Sequence, residues 1–265
     1  MKKIEILDCT LRDGGYVNNW EFGEKNIKSI ISKLALAGVD IIECGFLTNE
    51  AGFTAEQSQF NSISEIEDYI TSGNTDCMYV CMINYGDCSI EDITDYNGGN
   101  LTGIRIAFHQ KDMLGAVELS KKIISKGYKV FLQPMVTINY TDKELLELVE
   151  MANEMKPFAF YIVDSFGMMK QNDLIRMFYL VENNLMKEIA IGYHSHNNLQ
   201  LAYSNAQALL NINTNRTLII DSSVMGMGRG AGNLNTELFI EYTNSNYNTN
   251  YFVYPLLQIA DEVLT

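Results

Sequence analysis

The chain alternates from end to end between short apolar, β-branched runs and amphipathic stretches of helical length, and this alternation constrains its fold more than anything else. The strand-like runs are 4–10, 40–46, 77–84, 103–109, 129–136, 159–165, 188–196 and 217–224. Stretches such as 111–126, 142–156, 171–185 and 199–210 lie between them. In 142–156, Leu145, Leu148, Val149 and Ala152 recur at i, i+3, i+4 and i+7, which is one face of a helix. After the third run, 89–96 supports only a short or irregular helix. Strands joined by helices lie parallel with right-handed crossovers. Eight such units in about 250 residues predict an α/β fold, the (β/α)8 TIM barrel. A doubly wound open sheet is the alternative. No Pro/Gly/Ser-rich linker or composition break divides the 265 residues, so one domain is expected over 1–265, with the barrel at about 4–245 and a short C-terminal extension at 246–265.

Composition removes several function classes. Hydrophobic residues make up 47% and charged residues 20%, which describes a large core and not a disordered chain. The 19 basic and 33 acidic residues leave a net charge of −14, which speaks against a nucleic-acid footprint or a basic membrane-surface helix. No run of about 18 apolar residues is present to span a bilayer. The start, Met1-Lys2-Lys3-Ile4-Glu5-Ile6-Leu7-Asp8, reaches an acid too soon for a secretory signal, and a cytoplasmic location is expected. The five cysteines (Cys9, Cys44, Cys77, Cys81, Cys88) form no CxxC pair and mostly fall in apolar runs. They read as buried reduced thiols; a Cys77/Cys81/Cys88 metal site is the lesser alternative.

A barrel of this kind works at the C-terminal ends of its strands. The three histidines, His109, His194 and His196, all fall where the fourth and seventh strands end. Arg12 and Arg229 follow strands on the same side and Arg105 lies within the fourth, which points to a small anionic substrate. Residues i and i+2 of a strand share a face, so His194 and His196 aim their rings together. Two imidazoles side by side suit a divalent metal completed by a carboxylate; the alternative is a pair of polar strand-end residues meeting water. The first strand runs into Arg12-Asp13-Gly14-Gly15, and in a closed barrel Asp13 can reach both histidines, whereas Asp8, inside the strand, reads as structural. After the eighth strand comes Gly226-Met227-Gly228-Arg229-Gly230-Ala231-Gly232-Asn233. Too little chain follows to build a dinucleotide fold on these glycines. They allow backbone to approach a ligand or metal closely, and Asn233 can lend an amide oxygen to it.

Leu7-Asp8-Cys9-Thr10-Leu11-Arg12-Asp13-Gly14, His194-Ser195-His196-Asn197-Asn198 and the glycine loop ending at Asn233 together resemble the DRE-TIM metallolyase superfamily, above all its 4-hydroxy-2-oxovalerate aldolases and more distantly hydroxymethylglutaryl-CoA lyase and isopropylmalate synthase. Tyr161-Ile162-Val163-Asp164-Ser165 resembles the sixth strand of those aldolases, which makes Asp164 and Ser165 expected substrate contacts. The resemblance implies that Asp13, His194 and His196 bind a divalent ion (Mn, Mg, Co or Zn), with Asn233 as a further ligand. It implies that Arg12 stabilises an enolate oxygen and that Glu43 orients that arginine or the metal waters. A glutamate closing an apolar strand can also simply face solvent.

Three departures narrow the reaction. Ser222-Ser223-Val224-Met225 stand where the lyase branch has a catalytic cysteine, which disfavours hydroxymethylglutaryl-CoA lyase. Tyr16 stands where the aldolases have a base histidine. The chain also ends soon after the eighth strand, so the aldolases' helical domain and an aldehyde dehydrogenase partner are not expected; a homo-oligomer is compatible with this reading. A 2-oxo acid chelates a hard metal through its carboxylate and keto oxygens, which lowers the energy of the enolate formed when C3–C4 breaks. Tyr16 and His109 are the candidate bases for the C4 hydroxyl. An ordinary tyrosine, near pKa ~10, needs help that an imidazole does not. The expectation is therefore reversible aldol cleavage of a 4-hydroxy-2-oxo acid to pyruvate, or a close relative, and an aldehyde, with Arg105 and Arg229 on the distal part. A Claisen-type acyl-CoA synthase or lyase and a non-catalytic barrel are the alternatives.

Overall fold

In the computed structural model, residues 3–70 and 76–263 are described. Eight parallel strands form the barrel: β1 (Ile4–Asp8), β2 (Ile41–Leu47), β3 (Met78–Asn84), β4 (Leu101–Phe108), β5 (Lys129–Pro134), β6 (Ala159–Asp164), β7 (Ala190–Ser195) and β8 (Leu218–Ser222). Each pairs with the next, β8 pairs with β1, and the ring closes where Leu7 and Asp8 of β1 register with Ile41 and Ile42 of β2. Closure settles the choice between barrel and open sheet. The seven-residue β2 is buried throughout and bulges between Glu43 and Phe46. Gly45, at φ +145°, makes the bulge: a Cβ there would lie 2.1 Å from the Ser58 carbonyl oxygen. A two-residue strand, Gln59–Phe60, pairs alongside β2 beyond that bulge.

The outer ring follows the amphipathic periodicity. It comprises α1 (Glu24–Leu36), α2 (Ile63–Glu67), α3 (Met113–Ser125), α4 (Asp142–Met155), α5 (Gln171–Asn184), α6 (Ala202–Leu210), α7 (Thr236–Asn246) and α8 (Val253–Val263). In α4 the four residues of the apolar face are all buried, and Thr141 and Glu144 close a capping box at its start. The connection after β3 holds only a 3-10 turn, Ile90–Asp92, since that segment lacks a continuous apolar face. In the extension, α8 packs on α1 and buries Leu256 and Ile259. Cys9, Cys44, Cys81 and Cys88 are buried free thiols, and burial pushes the Cys81 and Cys88 pKa values up. No helix among the described residues is long and apolar enough to cross a membrane.

Candidate metal centre and active site

The turn after β1 is tight. The amides of Arg12, Asp13 and Gly14 all donate to the Cys9 carbonyl, at 3.1, 2.8 and 3.4 Å, and this brings Arg12 and Asp13 to the pocket formed with β7. His194, inside β7, and His196, just beyond it, set their rings edge to face with centroids 5.2 Å apart. Asp13, His194 and His196 each offer a ligand atom within 4.8 Å of the others, and no second such cluster occurs among the described residues.

The protonation states suit a cation. Burial works against ionisation of Asp13, but Arg12 and the two imidazoles outweigh it and hold the carboxyl down at about 2. Burial holds the His196 imidazole at about 4 despite the pull of Asp13, so the ring is neutral, the form that ligates. Its Nδ1 lies 3.8 Å from Asp13 Oδ2 with no hydrogen-bond partner, and the ring also bonds the Arg229 backbone. His194 Nδ1 meets Asp221 Oδ2 at 3.0 Å, which orients the ring and leaves its Nε2 for a ligand. Asn233 Nδ2 donates to Asp13 Oδ2 at 2.7 Å, and its Oδ1 is buried without a partner. One carboxylate, two imidazoles and an orphaned amide oxygen fit a hard or borderline divalent ion.

The glycine loop serves this packing. A Cβ on Gly228 would lie 2.3 Å from Asn233 Nδ2 and 2.7 Å from Asp13 Oδ2, so only glycine lets the strand-eight loop close over Asn233 and Asp13. Arg12 is held from two sides: Nη1 donates to Asp13 Oδ1 at 2.6 Å and Nε to Glu43 Oε2 at 2.8 Å. Its Nη2 is buried with no partner. The surrounding cavity, of about 70 Å³, is walled by Arg12, Asp13, Tyr16, Ser165, the two histidines and Arg229, with Phe46, Met82 and Val163 on its apolar side. Tyr16 packs on Trp20 at 4.7 Å between centroids, and the Arg229 guanidinium stands over the Tyr16 ring at 5.7 Å.

Several expected contacts lie elsewhere. Arg105 is fully buried and does not line the cavity; it ion-pairs with Glu43 at 2.9 Å and with Asp221, and stands 5.0 Å from the Tyr161 ring. Its side chain points into the barrel core, where its charge requires those two carboxylates, so it is not free to hold a distal substrate group. Glu43 is likewise off the cavity wall, and it bridges Arg12 and Arg105 instead of facing solvent. Asp164 takes the Met168 and Met169 amides at 3.0 and 2.9 Å; this shapes the loop after β6 and takes its carboxylate out of substrate contact. Ser165 stays on the wall. His109 ends β4 as expected, but it is exposed on a neighbouring cavity and is not brought to Asp13, His194 and His196. Asp221, which meets His194 and Arg105, is the site neighbour that the sequence reading passed over. Burial opposes its ionisation, yet Arg105 keeps its pKa below the ordinary carboxylate value, and Tyr161 Oη donates to its Oδ1 at 3.0 Å. The available signal was a lone acid inside the apolar run Leu218-Ile219-Ile220-Asp221. Gln133 and Asn84, also on the cavity wall, carried no such signal.

Comparison with known proteins adds a lineage to this geometry. The HMGL-like family model matches residues 3–263. The 4-hydroxy-2-oxovalerate aldolase of Pseudoalteromonas translucida is 25% identical, over 99% of this chain and 76% of that protein. The oxaloacetate decarboxylase of Mycobacterium tuberculosis is 25% identical, over 89% of this chain and 68% of its own length. Among solved structures, the N-terminal domain of a Bacteroides vulgatus protein provisionally described as an aldolase superposes with a TM-score of 0.78 at 27% identity, covering 96% of this chain and 84% of that domain. The HMG-CoA lyase of Brucella melitensis superposes with a TM-score of 0.75 over 98% of this chain and 96% of its own, and at 15% identity it shares the fold alone.

Proposed function

The chain belongs to the HMGL-like family, and from that premise we propose that it is a divalent-metal-dependent carbon–carbon lyase that reversibly cleaves a 4-hydroxy-2-oxo acid to pyruvate, or a close 2-oxo acid, and an aldehyde. The observation that carries this reading is the pairing, in one cavity, of the Asp13/His194/His196 cluster with an Arg12 guanidinium whose Nη2 is unspent. Asp13, His194 and His196, with Asn233 beside them, would hold a divalent ion, which when bound would supply Lewis-acid polarisation to a 2-oxo acid. Arg12, locked by Glu43 and Asp13, keeps a donor ready where negative charge grows on the keto oxygen. Because that donor is fixed in advance, it costs no reorganisation when charge appears. Of the two hydroxyl residues on the wall, Tyr16 and Ser165, the phenol is the more acidic, and its phenolate form would take the C4-hydroxyl proton, with the Arg229 charge beside its ring. Phe46, Met82 and Val163 give the cavity an apolar side on which an enolate carbon would be shielded from water.

The test is exchange of the pyruvate C3 protons, followed by NMR in deuterated water with Mn or Mg added. Exchange needs only the enolate, so the identity of the aldehyde does not matter. Exchange followed by cleavage within a panel of 4-hydroxy-2-oxo acids supports the reading; exchange of neither pyruvate nor 2-oxobutyrate, together with no cleavage, refutes it. One observation favours a second reaction on the same enolate: the cavity wall offers no histidine besides the two of the metal cluster. Decarboxylation of oxaloacetate, the activity named for the M. tuberculosis relative, needs no hydroxyl base. Including oxaloacetate in the panel separates the two.

A further inference from the structure

A second cavity, of about 400 Å³, adjoins the metal pocket, and Met135 stands on the wall of both. The two are also joined through backbone: the amide of Val136, on the second cavity, donates to Oγ of Ser165, on the first, at 2.9 Å. Val136 holds φ +53°, a left-handed conformation that a β-branched residue keeps only where its surroundings over-determine it.

The lining of this cavity is chemically one-sided. His109, Lys111, Asn139 and Tyr140 bring hydrogen-bond donors, the side chain of Gln110 bonds to Glu144, and no acid lines the cavity, in a chain with 33 acidic residues to 19 basic. Another cavity, beside α1, shows the usual balance of this chain, with Glu24, Glu65 and Asp68 on its wall. Tyr140 is 4% exposed, and its hydroxyl is buried with no hydrogen-bond partner. Burial, with Glu144 and Asp112 near it, pushes its pKa up, so the hydroxyl keeps its proton and remains a donor. A buried donor left unpaired is costly, and a small shift of the Tyr140 ring that uncovers the hydroxyl to a ligand oxygen would recover that cost.

The geometry points to this cavity as the subsite for the distal half of the substrate, and to a carboxylate as the group it takes. The inference rests on the aldolase reading above and narrows it: the preferred substrates are 4-hydroxy-2-oxo diacids, and the aldehyde released carries the second carboxylate. Lys111 and His109 meet that carboxylate at the rim, and Tyr140 donates from within. His109 thus serves substrate choice, not proton transfer at C4.

Binding of two uncleavable analogues tests this directly. The probes are 2-oxoheptanedioate and 2-oxoheptanoate, which differ only in the distal carboxylate, titrated calorimetrically into the metal-loaded protein. The diacid is expected to bind at least ~10-fold more tightly, the effect of one or two hydrogen bonds to a charged group. Tyr140→Phe and Lys111→Gln should each pull the ratio of the two dissociation constants toward one. A general loss of structure would weaken both analogues and leave the ratio unmoved. Equal binding of the two analogues overturns the inference, as does a preference that survives both substitutions. Pyruvate C3 exchange, run in parallel, keeps the outcomes apart: exchange without diacid preference refutes only this subsite, and absent exchange refutes the aldolase reading itself.

Discussion

Replacing Asp8 by asparagine is expected to stabilise the protein at neutral pH, and the size of the effect follows from where this carboxyl sits. Asp8 is fully buried in β1, and burial pushes its pKa from 3.8 to about 6, against the opposing hydrogen bonds from Thr236 and Thr10. Its folded pKa is thus raised above its unfolded value. The folded state then holds the proton more tightly between those two values, and stability is lost as pH rises through that window. The shift is about two units, which at 1.36 kcal/mol each is about 3 kcal/mol of destabilisation fully present above about pH 6. Asparagine cannot ionise and escapes this cost. Its Oδ1 can keep the Thr10 amide that Asp8 accepts at 2.9 Å, and its Nδ2 can donate to Thr236 Oγ1, now 2.6 Å from Asp8 Oδ2. Thr236 then turns its proton to Ser222 Oγ, 2.8 Å away, so both threonine contacts of the carboxylate keep a partner. Equilibrium urea unfolding of both proteins from about pH 4 to 7.5 checks this. The stability difference should be small at the acid end and grow toward ~3 kcal/mol in favour of Asp8→Asn. A difference that does not change with pH, or an asparagine variant that is the less stable at pH 7.5, refutes the reasoning.

Three further outcomes are expected at the site. Arg12→Lys keeps a charge but loses the planar fork that Asp13 and Glu43 hold, so turnover should fall by at least ~100-fold with unchanged metal content by elemental analysis; near-normal turnover would remove Arg12 from the reaction. Asp221→Asn takes the carboxylate from His194 Nδ1, and titration should show metal affinity lowered by ~10–100-fold. Gly228→Ala places a methyl against Asn233 and Asp13, so metal binding should be lost by calorimetry while circular dichroism still reports the folded barrel.

Some of this protein was decided by the order of its residues alone. Alternating periods of two and of 3.6 are local properties of a chain, so the eight units and the buried faces of helices such as α4 were readable without a structure. The same holds for the shared direction of His194 and His196, two apart on one strand, and for Asp13, which follows the strand that closes the ring. Other features were decided only by closure. Whether a strand residue faces its neighbours inside the barrel, and at what depth, depends on how all eight strands register, and no single run encodes that. Arg105 and Asp221 lie on strands far apart in sequence, yet closure buries their charges against each other, and this pairing turned an expected substrate contact into the support of Glu43 and His194. Asp164 and His109 differ for the same reason: one spends its carboxylate on two amides of its own loop, and the other faces the neighbouring cavity. A sequence names the groups that chemistry needs, but which partner neutralises each buried charge is set by distances across the barrel.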